Sequence, residues 1–289
     1  MSKEKLQIKR RSMFGEVMVR FLRKPIAVFG AVIMIVVVAL CLLAPVIAPY
    51  DIDAQDITRK FTEPSQEFIC GTDNLGRDIF SRLLYGGRIS LMVGFVSASI
   101  AAILGVILGA IAAFYGKRTD NIIMRILDVF MALPQMLLAI AISAMIGTGI
   151  KGAIIAVTVA TIPRYAQAVR GPILSIRNQE FVEAAFAIDA KDSRIVLRHI
   201  LPNVLSPIIV QVTMGVGNAI TMAASLSFIG LGVSKPKASW GALANAALPG
   251  LYTNPYQLFY PALIMSITIL ALNLFSDGLR DSLDPRLRK

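Results

Sequence analysis

The chain has 289 residues, 56% of them hydrophobic and 16% charged, with a mean hydropathy of +0.68. That apolar excess excludes an ordinary soluble globular protein and points to an all-α polytopic membrane protein. The formal charge of +11 then reads as basic loops on one membrane face rather than a nucleic-acid surface. Two separated cysteines and one histidine suggest neither a disulfide framework nor a zinc site.

Residues 1–24 form a basic tail. The apolar run 25–48 is too long for a signal-peptide core, no small-residue cleavage site follows it convincingly, and it reads as a first membrane span. Residues 49–88 are polar and acid-rich, with Asp51, Asp53, Asp56, Glu63, Glu67, Asp73 and Asp78. Cys70 lies in this segment and is expected to meet aqueous thiol reagents. Ile79, Leu83 and Leu84, near its end, suggest a short amphipathic helix at the membrane surface.

Apolar blocks follow at 89–116, 129–150, 203–234 and 258–276. In the first, Gly94, Gly105 and Gly109 favour close helix packing; the second holds Pro134, with Asp128 at its inner edge beside Arg125. A weaker block, 152–169, is interrupted by Arg164, and its uncharged part would rise only ~18 Å as a helix. Counting it gives six spans and puts both termini on one side. Segments 1–24, 117–125, 164–200 and 280–289 then carry 21 Lys and Arg against 8 in the opposite loops, which places the termini and the 164–200 loop in the cytoplasm. Residues 235–257 fall outside, with Trp240, Tyr252 and Tyr256 suited to an interfacial aromatic belt. Within the spans, Gln135, Thr158, Gln211, Asn218 and Asn273 either line a pathway or tie helices together, at ~0.6 kcal/mol each.

The longest polar interruption of the second half is 180–202, EFVEAAFAIDAKDSRIVLRHILP. Phe181, Val182, Ala185 and Ile188 fall on one helical stripe, Ala184, Ala185 and Ala187 keep the helix slim, and Asp192 could cap a second helix from Ser193 to Ile200. An ordinary amphipathic loop and a docking knob both fit that spacing. The Glu183-Ala184-Ala185 triplet, two short helices and then Leu201-Pro202 at a membrane edge resemble the EAA loop of bacterial ABC importer permeases. GTDNLGRDIFSRLLYGGRISL at 71–91 and the tail LNLFSDGLRDSLDPRLRK are similar to the dipeptide, oligopeptide and nickel permeases of that group.

The resemblance implies a type I ABC importer permease fold with about six transmembrane helices, its core at 89–279. A cytoplasmic coupling loop at 171–202 and a cytoplasmic tail at 280–289 complete it. It also implies a multi-pass protein of the bacterial cytoplasmic membrane, with both termini cytoplasmic. Glu180, Phe181, Glu183, Ala184, Ala185, Ile188, Asp189, Leu201 and Pro202 would couple to the ATPase, and Gln135, Gln211, Asn218 and Asn273 become candidates for the pathway. Expected partners are a second homologous permease, two ABC ATPase subunits or domains, an extracytoplasmic binding protein and membrane lipid, with no nucleic acid. Asp189 stands where the family usually has glycine, and Asp tolerates the φ > 0 such a turn requires better than most residues.

No G-x-x-x-x-G-K-[ST] pattern occurs, so the chain is expected to bind no cofactor and to leave ATP and Mg to its partners. Peptides are the expected cargo, with nickel or a metal chelate as the alternative. An intramembrane protease would need a Ser/His pair or paired Asp inside the spans, and a passive channel leaves the 180–202 knob unexplained.

Overall fold

The computed structural model describes residues 13–233 and 236–283; most of the basic tail, Lys235 and the end of the chain lie outside the described residues. Twelve α-helices account for most of it: α1 (Met13–Leu22), α2 (Pro25–Leu42), α3 (Ala44–Ile47), α4 (Ile79–Tyr115), α5 (Lys117–Met131), α6 (Gln135–Ile146), α7 (Ile150–Arg177), α8 (Glu180–Ala187), α9 (Asp192–Ile195), α10 (Leu205–Phe228), α11 (Trp240–Ala247) and α12 (Tyr256–Leu283). Among the described residues, five helical stretches are long and apolar enough to cross a membrane, or six if the bent pair α5–α6 counts as one span.

Helix α4 is the axis of the packing. Asp78 caps it by accepting a 2.7 Å bond from the Ser81 N–H, and Gly116, at φ 62°, ends it. The helix starts at Ile79, so the expected separate surface helix is simply its first turns. At 37 residues it spans ~55 Å, well beyond the ~30 Å hydrocarbon core. A Cβ on Gly105 would lie 2.4 Å from Tyr165 Cβ, and one on Gly109 would lie 2.5 Å from the Ala166 carbonyl oxygen. These glycines therefore set how closely α4 and α7 approach, the use their position suggests.

The 129–150 block is not a straight span. Helices α5 and α6 meet at 87° across the break at 132–134. Pro134 lacks an N–H and disfavours helical geometry in the residue before it, which separates the two helices. Asp120 of α5 pairs with Arg170, and Asp128 accepts a 3.3 Å bond from Gln167 rather than pairing with Arg125. Eight residues of α5 (~12 Å) thus advance only three residues (~4.5 Å) along α7, so α5 runs steeply across it. Helix α6 then turns to run beside α7, with Gln135 bonded to the Ala160 carbonyl.

The two ends of the bundle are chemically distinct. At one end Lys24 pairs with Asp281 at 2.6 Å, and Phe114 stacks on Phe186. At the other, Ser143 Oγ donates to the Leu231 carbonyl at 2.6 Å and the Gly149 N–H donates to the Gly232 carbonyl at 2.7 Å. The 48–78 segment sits at this second end, where the Tyr256 hydroxyl donates to the Thr62 carbonyl at 3.1 Å.

Two expectations about this end fail. Trp240 is fully buried, not interfacial: its Nε1–H donates to the Leu83 carbonyl and its N–H to Ser90 Oγ, both at 3.0 Å. Gly87 leaves the room it needs, since a Cβ there would lie 2.8 Å from the indole. Cys70 is buried in the same apolar cluster, and burial pushes its thiol up to about 12. Tyr252, by contrast, is 99% exposed.

Candidate functional site

The 178–204 segment begins where α7 ends at Arg177. The Gln179 carbonyl accepts from the N–H groups of Val182 and Glu183, starting α8. Two residues past the end of α8, Asp189 adopts φ 53°, so the turn keeps the left-handed conformation despite the missing glycine. Asp192 is not a cap. It is the first residue of α9, while the Lys191 carbonyl accepts from Arg194 and Ile195.

The expected second short helix is not separate either. From α9 the chain passes through a π turn, Val196–Ile200, and a 3₁₀ turn, Leu201–Val204, straight into α10. Pro202 accounts for the irregularity: it has no N–H to donate and its ring crowds the carbonyl one turn earlier. The segment is therefore one free helix, α8, leaning on the end of a membrane-crossing one.

Helix α8 has two faces. Val182 and Ala185 are buried with Ile195, Ile200 and Val204 against Ala110, Ala113 and Phe114 of α4 and Val169 and Ile173 of α7. Glu180, Phe181, Glu183, Ala184, Ile188 and Asp189 are exposed, as is Pro202, while Leu201 is half-buried. The expected single docking stripe of Phe181, Val182, Ala185 and Ile188 is thus divided. At 100° per residue, 182 and 185 turn toward α4 and α7, and 180, 183, 184 and 187 turn away. Leu197, 66% exposed, joins the outward surface, and Phe186, 44% exposed, borders it while its ring stacks on Phe114 of α4; sequence reasoning missed both, although their apolar character in a polar loop was visible.

A second feature lies within the membrane-spanning part. Gln135 and Thr158 are interhelical ties, since Thr158 Oγ1 donates to the Ser97 carbonyl at 3.4 Å and Gln135 bonds to Ala160. Gln211, Asn218 and Asn273 differ. Asn218 and Asn273 are exposed and Gln211 half-buried, with the Asn273 amide oxygen beside Gly217. On α10, Gln211, Met214, Asn218, Thr221 and Ser225 follow helical spacing and form a mostly polar stripe. Thr221 and Ser225 were missed because their hydroxyls are small, although the spacing was present; both now donate to carbonyls one turn back. No group of three or more His, Cys, Asp or Glu among the described residues could hold a metal ion.

This geometry can be set beside known proteins. Residues 105–289 match the family described as the binding-protein-dependent transport system inner membrane component. Residues 12–64 match the N-terminal transmembrane domain of oligopeptide transport permease C. The chain is 40% identical to the oligopeptide transport system permease protein OppC of Bacillus subtilis, over 99% of this chain and 94% of that one. It is 39% identical to the dipeptide transport system permease protein DppC of Alkalihalophilus pseudofirmus, over 92% and 88%. It is 44% identical to the glutathione transport system permease protein GsiD of Escherichia coli, over 93% and 89%. Among solved structures, a chain of the inward-facing MetNI methionine ABC transporter superposes with a TM-score of 0.59 at 18% identity, covering 70% of this chain and 96% of that one. That likeness concerns the fold.

Proposed function

Because the chain belongs to the family of binding-protein-dependent transport system inner membrane components, we propose that it forms half of the translocation pathway of an ATP-driven importer for short peptides, coupled to a separate ATPase through α8. The observation that carries the coupling is the division of α8. One face is locked onto α4 and α7, while Glu180, Glu183, Ala184 and Phe181 face outward and pair with no other element among the described residues. Small and acidic residues there allow close approach of a second protein with a cationic cleft.

Force on α8 would pass through Val182 and Ala185 into α4 and α7, and through the 196–204 turns into α10. Rigid helices can then alternate between two packings, which is the requirement for alternating access. The assembly proposed holds a second permease, two ATPases that consume ATP with Mg, and an extracytoplasmic binding protein. The cation-rich end with Lys24 and α8 faces the cytoplasm, consistent with the bias of Lys and Arg. The stripe Gln211, Asn218 and Asn273 lines the pathway, where uncharged amides suit a peptide backbone. Nickel as cargo is not favoured, since the relatives reported are named for oligopeptide, dipeptide and glutathione transport.

The test uses the assembled complex. Cysteines at Ala184 and Ala187 should crosslink to the ATPase, and one at Val182 should not. Glu183→Lys should leave assembly intact while removing ligand-stimulated ATP hydrolysis and transport together. Wild-type coupling in that variant, or crosslinks running instead to the N-terminal tail, would remove α8 from this role.

A further inference from the structure

Helices α10 and α12 form a wall with two unlike faces. The polar stripe occupies one. On the other, Thr213, Val216 and Ile220 of α10 and Leu272 and Phe275 of α12 join α2 and α4 around a groove of about 690 Å³. The groove follows α2 from Met34 to Leu42, eight residues or ~12 Å, close to the ~15 Å depth of one leaflet's hydrocarbon. Its single cation is Arg88 of α4, at the level of Cys41 and Leu42, where α2 ends and the 48–78 segment begins. Arg88 is exposed and makes no ion pair among the described residues. Thr213, the one other polar side chain in the lining, already donates to the Val210 carbonyl.

We propose that this groove binds an anionic phospholipid, with an acyl chain between α2 and α4 and the phosphodiester on Arg88. A cation at a membrane boundary stays near the headgroups and seeks a counter-charge, while its stem lies along apolar surface. No acid among the described residues supplies that charge in the groove, and apart from Thr213, whose hydroxyl is already bonded, the lining below Arg88 is apolar. An amphiphile with one negative head and a long tail matches both parts. Transported peptide does not, because the groove lies behind the wall that carries the polar stripe. The site is independent of the transport reading and requires only that the chain spans a membrane.

The assembled complex is reconstituted in nanodiscs with photoactivatable-acyl phosphatidylglycerol or phosphatidylcholine, and crosslinked residues are mapped by mass spectrometry. In wild type, phosphatidylglycerol should label the groove around Met34 and Phe95 in preference to phosphatidylcholine. Arg88→Gln should lower that labelling about tenfold, the value of one charge-assisted contact, and leave the phosphatidylcholine level unchanged. Arg88→Lys should keep the preference. Equal labelling by the two lipids in wild type overturns the proposal, a result that needs no variant to fold. So does efficient crosslinking of Phe95→Cys to the second permease, which would show that protein covers the groove.

Discussion

Helices α2 and α7 invert the usual relation between hydropathy and burial. The most apolar of the five spans, α2, has 22% of its apolar window buried; the least apolar, α7, has 61%. Helix α2 turns Ile26, Phe29, Val32 and Ile35 outward, as a helix against lipid can. Helix α7 carries Thr158, Thr161 and two internal prolines, and buries Ala153, Ala156, Ala160 and Ala166 against its neighbours. Where the solvent is hydrocarbon, apolarity does not drive a helix inward. Close packing of small residues and satisfied polar groups do. The weak 152–169 block is therefore the centre of the fold, and the strong 25–48 block is its periphery.

The largest effect that would sharpen this contrast is at the α4–α7 crossing. Gly105→Leu places atoms where even a Cβ lies 2.4 Å from Tyr165 and 3.0 Å from the Ile162 carbonyl. Thermal unfolding in detergent should show a loss of about 3 kcal/mol, the upper range for overpacking. Ile35→Leu on α2, 68% exposed, should stay within about 0.5 kcal/mol. Comparable losses in the two would erase the distinction. Next comes Trp240→Phe, which removes the indole N–H bond to the Leu83 carbonyl and shrinks a fully buried side chain; about 1–3 kcal/mol should be lost by the same assay.

Much of this was legible in the sequence, and the misses share a cause. The six apolar blocks, the close packing at Gly94, Gly105 and Gly109, and the left-handed turn at Asp189 follow from local composition and backbone chemistry. What local pattern could not give was direction. Whether Trp240 faces the interface or the interior depends on Gly87, 153 positions away in sequence. Val182 and Ala185 share a stripe with Phe181 and Ile188 on any helical wheel, yet only the partners on α4 and α7 decide which of them is covered. The 129–150 block was apolar throughout, and apolarity is silent about the bend that Pro134 introduces.

Cys70 gives a smaller effect, read as reactivity. Its thiol is raised from 9.0 to about 12 by burial, so the folded state favours the neutral form. That contribution to stability is complete below pH 9 and is lost as pH rises toward 12. An impermeant maleimide at pH 8 should therefore label Cys70 slowly in the intact complex and rapidly after denaturation. Fast labelling in the folded protein would mean that the 48–78 segment does not close over this thiol.

The smallest expected change in stability belongs to the polar stripe, where transport is nevertheless expected to fall. Asn218 and Asn273 are exposed in the single chain and neither side chain makes a hydrogen bond among the described residues, so replacing either by Leu removes no internal tie. If these positions line a wet pathway against a second permease, Asn218→Leu should unfold at the wild-type temperature while transport falls several-fold, because a peptide backbone loses an amide partner it cannot recover from Leu. Thr158→Val is the control on α7. It breaks the bond to the Ser97 carbonyl, at ~0.6 kcal/mol, and should leave transport intact. The two variants thus separate polar groups that hold helices together from those that meet cargo. Unchanged transport in both Asn218→Leu and Asn273→Leu would place the stripe against lipid or protein, and α10 would then resemble α2 more than α7.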